Sequence, residues 1–137
     1  MEISTDTQAT AGLILLTVLF VEWGGYVVLR MSRGHMEATP FQVTFARAGH
    51  GHAAVLLVFA LVGLILADST DVSGVWRVIA RNGIWVAAIL FPAGFFLSSA
   101  GEGRETANGW ISLIYAGAVV LALAVTTLGV TLLSAGT

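Results

Sequence analysis

A chain of 137 residues that is 57% hydrophobic and only 10% charged, with a mean hydropathy of +0.90, departs far from the roughly 25% charged composition of a soluble domain. The absence of cysteine excludes disulfides, thiolate metal sites and thiol nucleophiles, and the six basic residues are all arginine, which excludes a lysine Schiff base. A net charge of −2 leaves no basic surface for nucleic acid.

A hydrocarbon core of about 30 Å needs roughly 20 apolar residues to cross it as a helix. Four such windows occur, at about residues 11–31, 47–67, 78–99 and 110–134, separated by turn formers and charge at 32–40, 68–74 and 101–109. The pattern predicts an all-α, polytopic membrane protein: one four-helix transmembrane bundle over residues 1–137.

The first span is preceded by Glu2 and Asp6 and by no basic residue, the opposite of a signal peptide's n-region, so it is expected to persist as a membrane anchor. Glu22 lies near its middle and must be neutral or paired there. Gly24 and Gly25 follow it directly and give room for a bend or a close approach. In the second span the uninterrupted apolar run, residues 53–67, amounts to about 22 Å of helix, too short to cross. The helix must therefore begin early enough to take in Gly49, His50, Gly51, His52 and Arg47.

Arg47 and His50, three apart, share a helix face, whereas His50 and His52 point roughly 200° apart and cannot chelate one ion together. The expected site is a buried cluster of Glu22, Arg47 and His50, with His52 turned to another helix or a neighbouring subunit. In the third span Arg77 and Arg81 are read as snorkelling to the interface, Asn82 as a possible companion of Arg81 in a second polar site, and Pro92 as a kink whose freed carbonyl neighbouring helices or Ser98 and Ser99 compensate.

Small residues four apart, Gly49 with Ala53, Gly83 with Ala87 and Ala118 with Ala122, are suited to close helix approach. Trp23, Trp76, Trp85 and Trp110 read as interfacial anchors. His35 beside Glu37, and Glu102, Arg104 and Glu105, read as hydrated loop residues. Arg30, Arg33, Arg47 and Arg104 flank the first and third loops against Arg77 and Arg81 on the other side, so the arginine bias puts both termini outside the cytoplasm. No phosphate-binding glycine loop, HExxH, GxSxG or catalytic carboxylate pair occurs.

The stretch Phe45-Ala46-Arg47-Ala48-Gly49-His50-Gly51-His52-Ala53-Ala54 resembles the Arg-Ala-Gly-His-x-His signature of a family of small bacterial four-helix membrane proteins, and the segment Phe91-Pro92-Ala93-Gly94-Phe95-Phe96-Leu97 is similar too. That resemblance implies a multi-pass protein of a bacterial cell membrane and brings no established chemistry. Arg47 and His50 also resemble, over about a dozen residues, the helix of heme-copper oxidases and nitric oxide reductases in which an arginine stands three before a low-spin heme ligand. The size and layout are similar to the glutathione-dependent MAPEG enzymes, whose second helix continues with Asn and Glu where Ala53 and Ala54 stand here.

Three functions stay open on these residues. One is a non-catalytic subunit or scaffold of a larger membrane assembly, in which the polar cluster fixes helix register. Another is a b-type heme or transition-metal protein with a redox role, using His50, His52 and Arg47, in which bis-imidazole ligation requires a homo-oligomer. The third is an enzyme or transporter for a small acidic or lipid-soluble ligand, with Arg47 as anion clamp and Glu22 or His50 as proton carrier.

Overall fold

The computed structural model describes residues 3–135, so Glu2 lies outside the described residues. The chain is an all-α bundle of four antiparallel helices, each long and apolar enough to cross a membrane: α1 (Thr5–Ser32), α2 (Pro40–Asp68), α3 (Gly74–Ser99) and α4 (Ser112–Ala135). At 24 to 29 residues the helices are about 36–43 Å long. They overrun the hydrocarbon core at both ends and leave the loops outside it.

Local sequence sets the helix ends. Ser4 caps α1 by accepting the Thr7 N–H. α2 starts seven residues before the apolar window because Thr39 and Gln42 form a reciprocal capping box with Pro40 in the first turn, where its missing N–H costs nothing. Gln42 also donates to the Ser99 and Gly101 carbonyls, and the Thr39 hydroxyl donates to the Arg104 carbonyl. The start of α2 is thereby tied to the loop between α3 and α4. A single 3-10 turn at Gly109–Ile111 leads into α4. It is capped by Asn108, whose backbone and side-chain amides donate to the Ser98 and Leu97 carbonyls at 3.0 Å each.

Helices α2, α3 and α4 pack through positions where side chains have been removed. A Cβ on Gly83 would stand 2.5 Å from that of Ala124, and one on Gly94 would stand 2.8 Å from the Ile114 backbone nitrogen. Gly49 receives Phe95 and Phe96, and Gly117 receives Phe91. The core comprises Ile14, Ala60, Leu64, Ala67, Ala80, Ile84, Ala124 and Leu128. α1 meets α2 much less extensively than α3 does, and touches the other helices only marginally.

Several sequence expectations are corrected by this packing. Ala118 and Ala122 face outward, because it is Gly117 and Ala124 that turn α4 toward α3. Trp85 is half-buried and donates to the Asn82 side chain at 3.0 Å, so it is a packing residue, whereas Trp23, Trp76 and Trp110 are exposed. Arg77 is exposed, but the Arg81 side chain is only 14% exposed and reaches Asp6 at 4.0 Å. Ser98 and Ser99 bond the carbonyls of Phe95 and Phe96 in the last turn of α3, a turn beyond Pro92.

Candidate functional site

Two contacts give the register of α1 against α2. The His50 ring lies on Gly25, where an added Cβ would stand 2.9 Å from Cε1. At the other end the Ser4 N–H donates to Asp68 Oδ2 at 3.0 Å. Residue 25 is thus level with 50 and residue 4 with 68, and Glu22 is level with about residue 52 of α2. Glu22 is also about 5 Å from the midpoint of its own helix, well inside the hydrocarbon core.

The expected buried Glu22, Arg47 and His50 cluster does not form within the chain. Glu22 is exposed on the outer side of α1 and makes no ion pair or hydrogen bond among the described residues. The reason is azimuth: the inward side of α1 runs through Ile14, Val21, Gly25 and Val28, and Glu22 is turned about 100° from Val21, onto the outer side. Arg47 is exposed as well and donates from Nε to the Ser32 hydroxyl at 3.2 Å, toward the end of α1. Only His50 is partly buried, and neither of its ring nitrogens has a hydrogen-bond partner among the described residues.

His52 turns the opposite way, as the two-residue spacing requires. Its ring stacks on Phe91 and Phe95 of α3 at 5.2 Å each, with interplanar angles of 7° and 28°. Nδ1 is 2.8 Å from the Ala48 carbonyl, which can only accept, so Nδ1 carries a proton and, in the neutral ring, Nε2 is the acceptor. His52 is exposed on the bundle surface. The imidazole is held by the Ala48 carbonyl, and its Nε2 has no hydrogen-bond partner among the described residues.

Because α1 leans mainly on α2, a groove opens between α1 and α3 with α2 as its floor. It measures about 440 Å³. Its walls include Thr17, Phe20 and Gly24 of α1 and Trp85, Pro92 and Phe96 of α3, with His50 on the floor. Over Thr10 to Gly24 it follows about 21 Å of helix. The Thr10 and Thr17 hydroxyls donate to carbonyls of their own helix, so His50 contributes the unengaged polar side-chain groups. Pro92 has no N–H to give to the Ala88 carbonyl, and both residues line this groove. Glu22 and Arg47 do not line it.

The residues present do not fit a heme held within one chain. The α1 backbone at Gly25 covers His50 Nε2, with an added Cβ only 3.1 Å away, and His52 is on the other side of α2. Among the described residues no group of three or more His, Cys, Asp or Glu could hold a metal ion.

At the terminal end of the bundle lies a second polar set that the sequence reading did not assemble. The Asp68 carboxylate accepts from Ser4, lies in the field of Arg81, and faces the wholly buried Thr7 hydroxyl, which has no hydrogen bond of standard geometry among the described residues. This set pins the start of α1. Its sequence signal was the coincidence of a helix-capping serine before the first span with an acid closing the second.

Comparison with known proteins found no matching protein-family model, no matching curated protein and no matching solved structure.

Proposed function

We propose that this small multi-helix membrane protein is a non-catalytic subunit that assembles with other transmembrane helices inside the bilayer. The observation that supports this reading is Glu22: a carboxyl close to mid-membrane, pointing away from its own bundle, on the helix that the bundle holds least. A polar group at that depth ordinarily faces a bundle interior, a partner or a cavity, and here the described residues of its own chain supply none. The test is the mass of the protein extracted in a mild detergent, with cross-linking in the native membrane. Wild type should run as an oligomer or complex and Glu22→Leu as a smaller species. A monomer in both settings, unchanged by the substitution, would overturn the reading.

The groove favours a second reading, the handling of a lipid-soluble ligand. A long apolar channel open to lipid, with an unengaged imidazole at one end and a carbonyl without its usual N–H partner on one wall, suits a molecule with an apolar tail and a small hydrogen-bonding head. Mass spectrometry of lipids extracted from the purified protein tests it. A stoichiometric amphiphile, lost in His50→Leu, supports it; only bulk phospholipid in both proteins removes it.

A further inference from the structure

The Glu22 carboxyl and the Nε2 atom of His52 make no hydrogen bond among the described residues, both residues are on the outside of the bundle, and they lie at the same depth. We propose that they complete each other between copies: Glu22 of one copy pairs with Nε2 of His52 in the next, so that α1 of each copy docks on the free face of its neighbour's α2. This rests on the subunit reading above and names the partner as a second copy of this chain.

Chemistry makes the pair complementary. The Ala48 carbonyl fixes the His52 proton on Nδ1, leaving Nε2 as an acceptor, and a carboxyl group can share one proton with that nitrogen. Both groups are then satisfied whichever atom holds the proton, and two charges need not be buried separately. A pairing of Glu22 with Glu22 across a twofold axis would leave both His52 nitrogens as they are and set two acids face to face.

The surfaces flanking the two residues agree in register. Along α1 the exposed residues Gln8, Gly12, Leu15, Leu19, Glu22 and Tyr26 recur at alternating intervals of three and four, the spacing of a helix seam. Along α2 the exposed residues His52, Val55, Phe59, Val62 and Leu66 do the same.

Copies that share one orientation in the membrane place α1 antiparallel to the neighbour's α2. With Glu22 opposite His52, Leu19 then meets Val55, Leu15 meets Phe59, and Gly12 meets Val62. The intrachain contacts Gly25 with His50 and Ser4 with Asp68 show that this register puts every pair at matching depth to within about 3 Å. Gly12 has nothing within 4 Å of where a Cβ would be, which leaves room for a close helix approach there. Because the two faces differ and the orientation is common, the contact repeats head to tail in the membrane plane, and it forms a closed ring where the rotation per copy divides a full turn.

The chain has no cysteine of its own, so introduced thiols report without background. Leu19→Cys and Val55→Cys, made singly in the full chain with Glu22 and His52 intact, are oxidised in native membranes. Co-expressed, the two variants should give a disulfide-linked dimer, and the double variant a ladder. Either variant alone should give neither. Adding Glu22→Leu or His52→Leu should cut the cross-link at least tenfold, and the exchanged pair Glu22→His with His52→Glu should restore it. A cross-link from Leu19→Cys alone, or none from the co-expressed pair in a protein whose mass still shows an oligomer, would overturn this pairing and leave the subunit reading standing. A wild-type chain that is monomeric in the membrane would remove both.

Discussion

Helix α1 and the group α2, α3 and α4 are built by different means, although all four have similar length and are apolar enough to cross a membrane. Within the group, glycine and alanine face each other until backbones touch, at Gly83 with Ala124 and at Gly94 with Ile114. Apolar side chains gain little by leaving lipid for protein, so close fit is what holds such helices. α1 is held at points: Ser4 on Asp68, Ile14 in the core, the His50 ring on Gly25, and Ser32 against Arg47. Between those points it stands away from α3 and leaves the groove. The first kind of contact is stiff and intolerant of volume, and the second can be altered one residue at a time.

Glycine substitutions separate the two kinds most sharply. Gly94→Ala sets a Cβ against the backbone of Ile114, which cannot turn aside as a side chain can. Overpacking of this sort costs about 1–3 kcal/mol, and the upper part of that range is expected here. Reversible unfolding of the protein in mixed micelles measures it. Wild-type stability in Gly94→Ala would mean that the α3 and α4 seam is as loose as the α1 contact.

Gly25→Ala should cost less, about 1 kcal/mol, though its Cβ would also stand only 2.9 Å from a neighbour. The neighbour is the His50 ring, which can swing into the open groove. The check is the same unfolding measurement combined with the histidine ring resonances. A large chemical-shift change at His50 with a small loss of stability is the expected pair of results, and a loss as large as that of Gly94→Ala would show that the ring has nowhere to go.

Asp68→Ala removes the acceptor of the Ser4 N–H and should cost about 1 kcal/mol, as other lost capping interactions do. The effect should be confined to the first turns of α1. Hydrogen exchange should speed up at the amides of Ser4, Thr5 and Thr7 and stay unchanged in α3. Faster exchange throughout α3 would mean that α1 is integral to the bundle after all.

The four spans were legible because hydropathy alone fixes that a 20-residue apolar run must cross. The early start of α2 was written in Thr39, Pro40 and Gln42, a capping box that an apolar window does not weigh. Depth was therefore legible and azimuth was not. Glu22 falls near the middle of α1, as its sequence position implies, but on the outer side of the helix, since an apolar segment has no polar face from which to tell inside from outside. The opposed directions of His50 and His52 could be read because they follow from helix geometry alone. The groove could not be read, because it depends on where α1 leans and not on what α1 contains. Ala118 and Ala122 were misplaced for a related reason: α4 is rich in small residues, and the one that meets α3 at that level is the adjacent Gly117.

The smallest effect tests the comparison by its sign. Gly24 borders the groove and an added Cβ there meets nothing within 4 Å. Alanine in a helix interior is favoured over glycine by roughly 0.5–1 kcal/mol in water, because glycine loses more backbone freedom on folding. In a helix already held by the bilayer, a few tenths of that is expected to remain. Gly24→Ala should therefore leave the protein as stable as wild type or slightly more so, whereas the same substitution at Gly83, 2.5 Å from Ala124, should weaken it. Opposite signs from one chemical change in two helices of one bundle are what point attachment beside close packing predicts. A clear loss at Gly24 would mean that α1 closes onto α3 in the membrane and that the groove is occupied by protein.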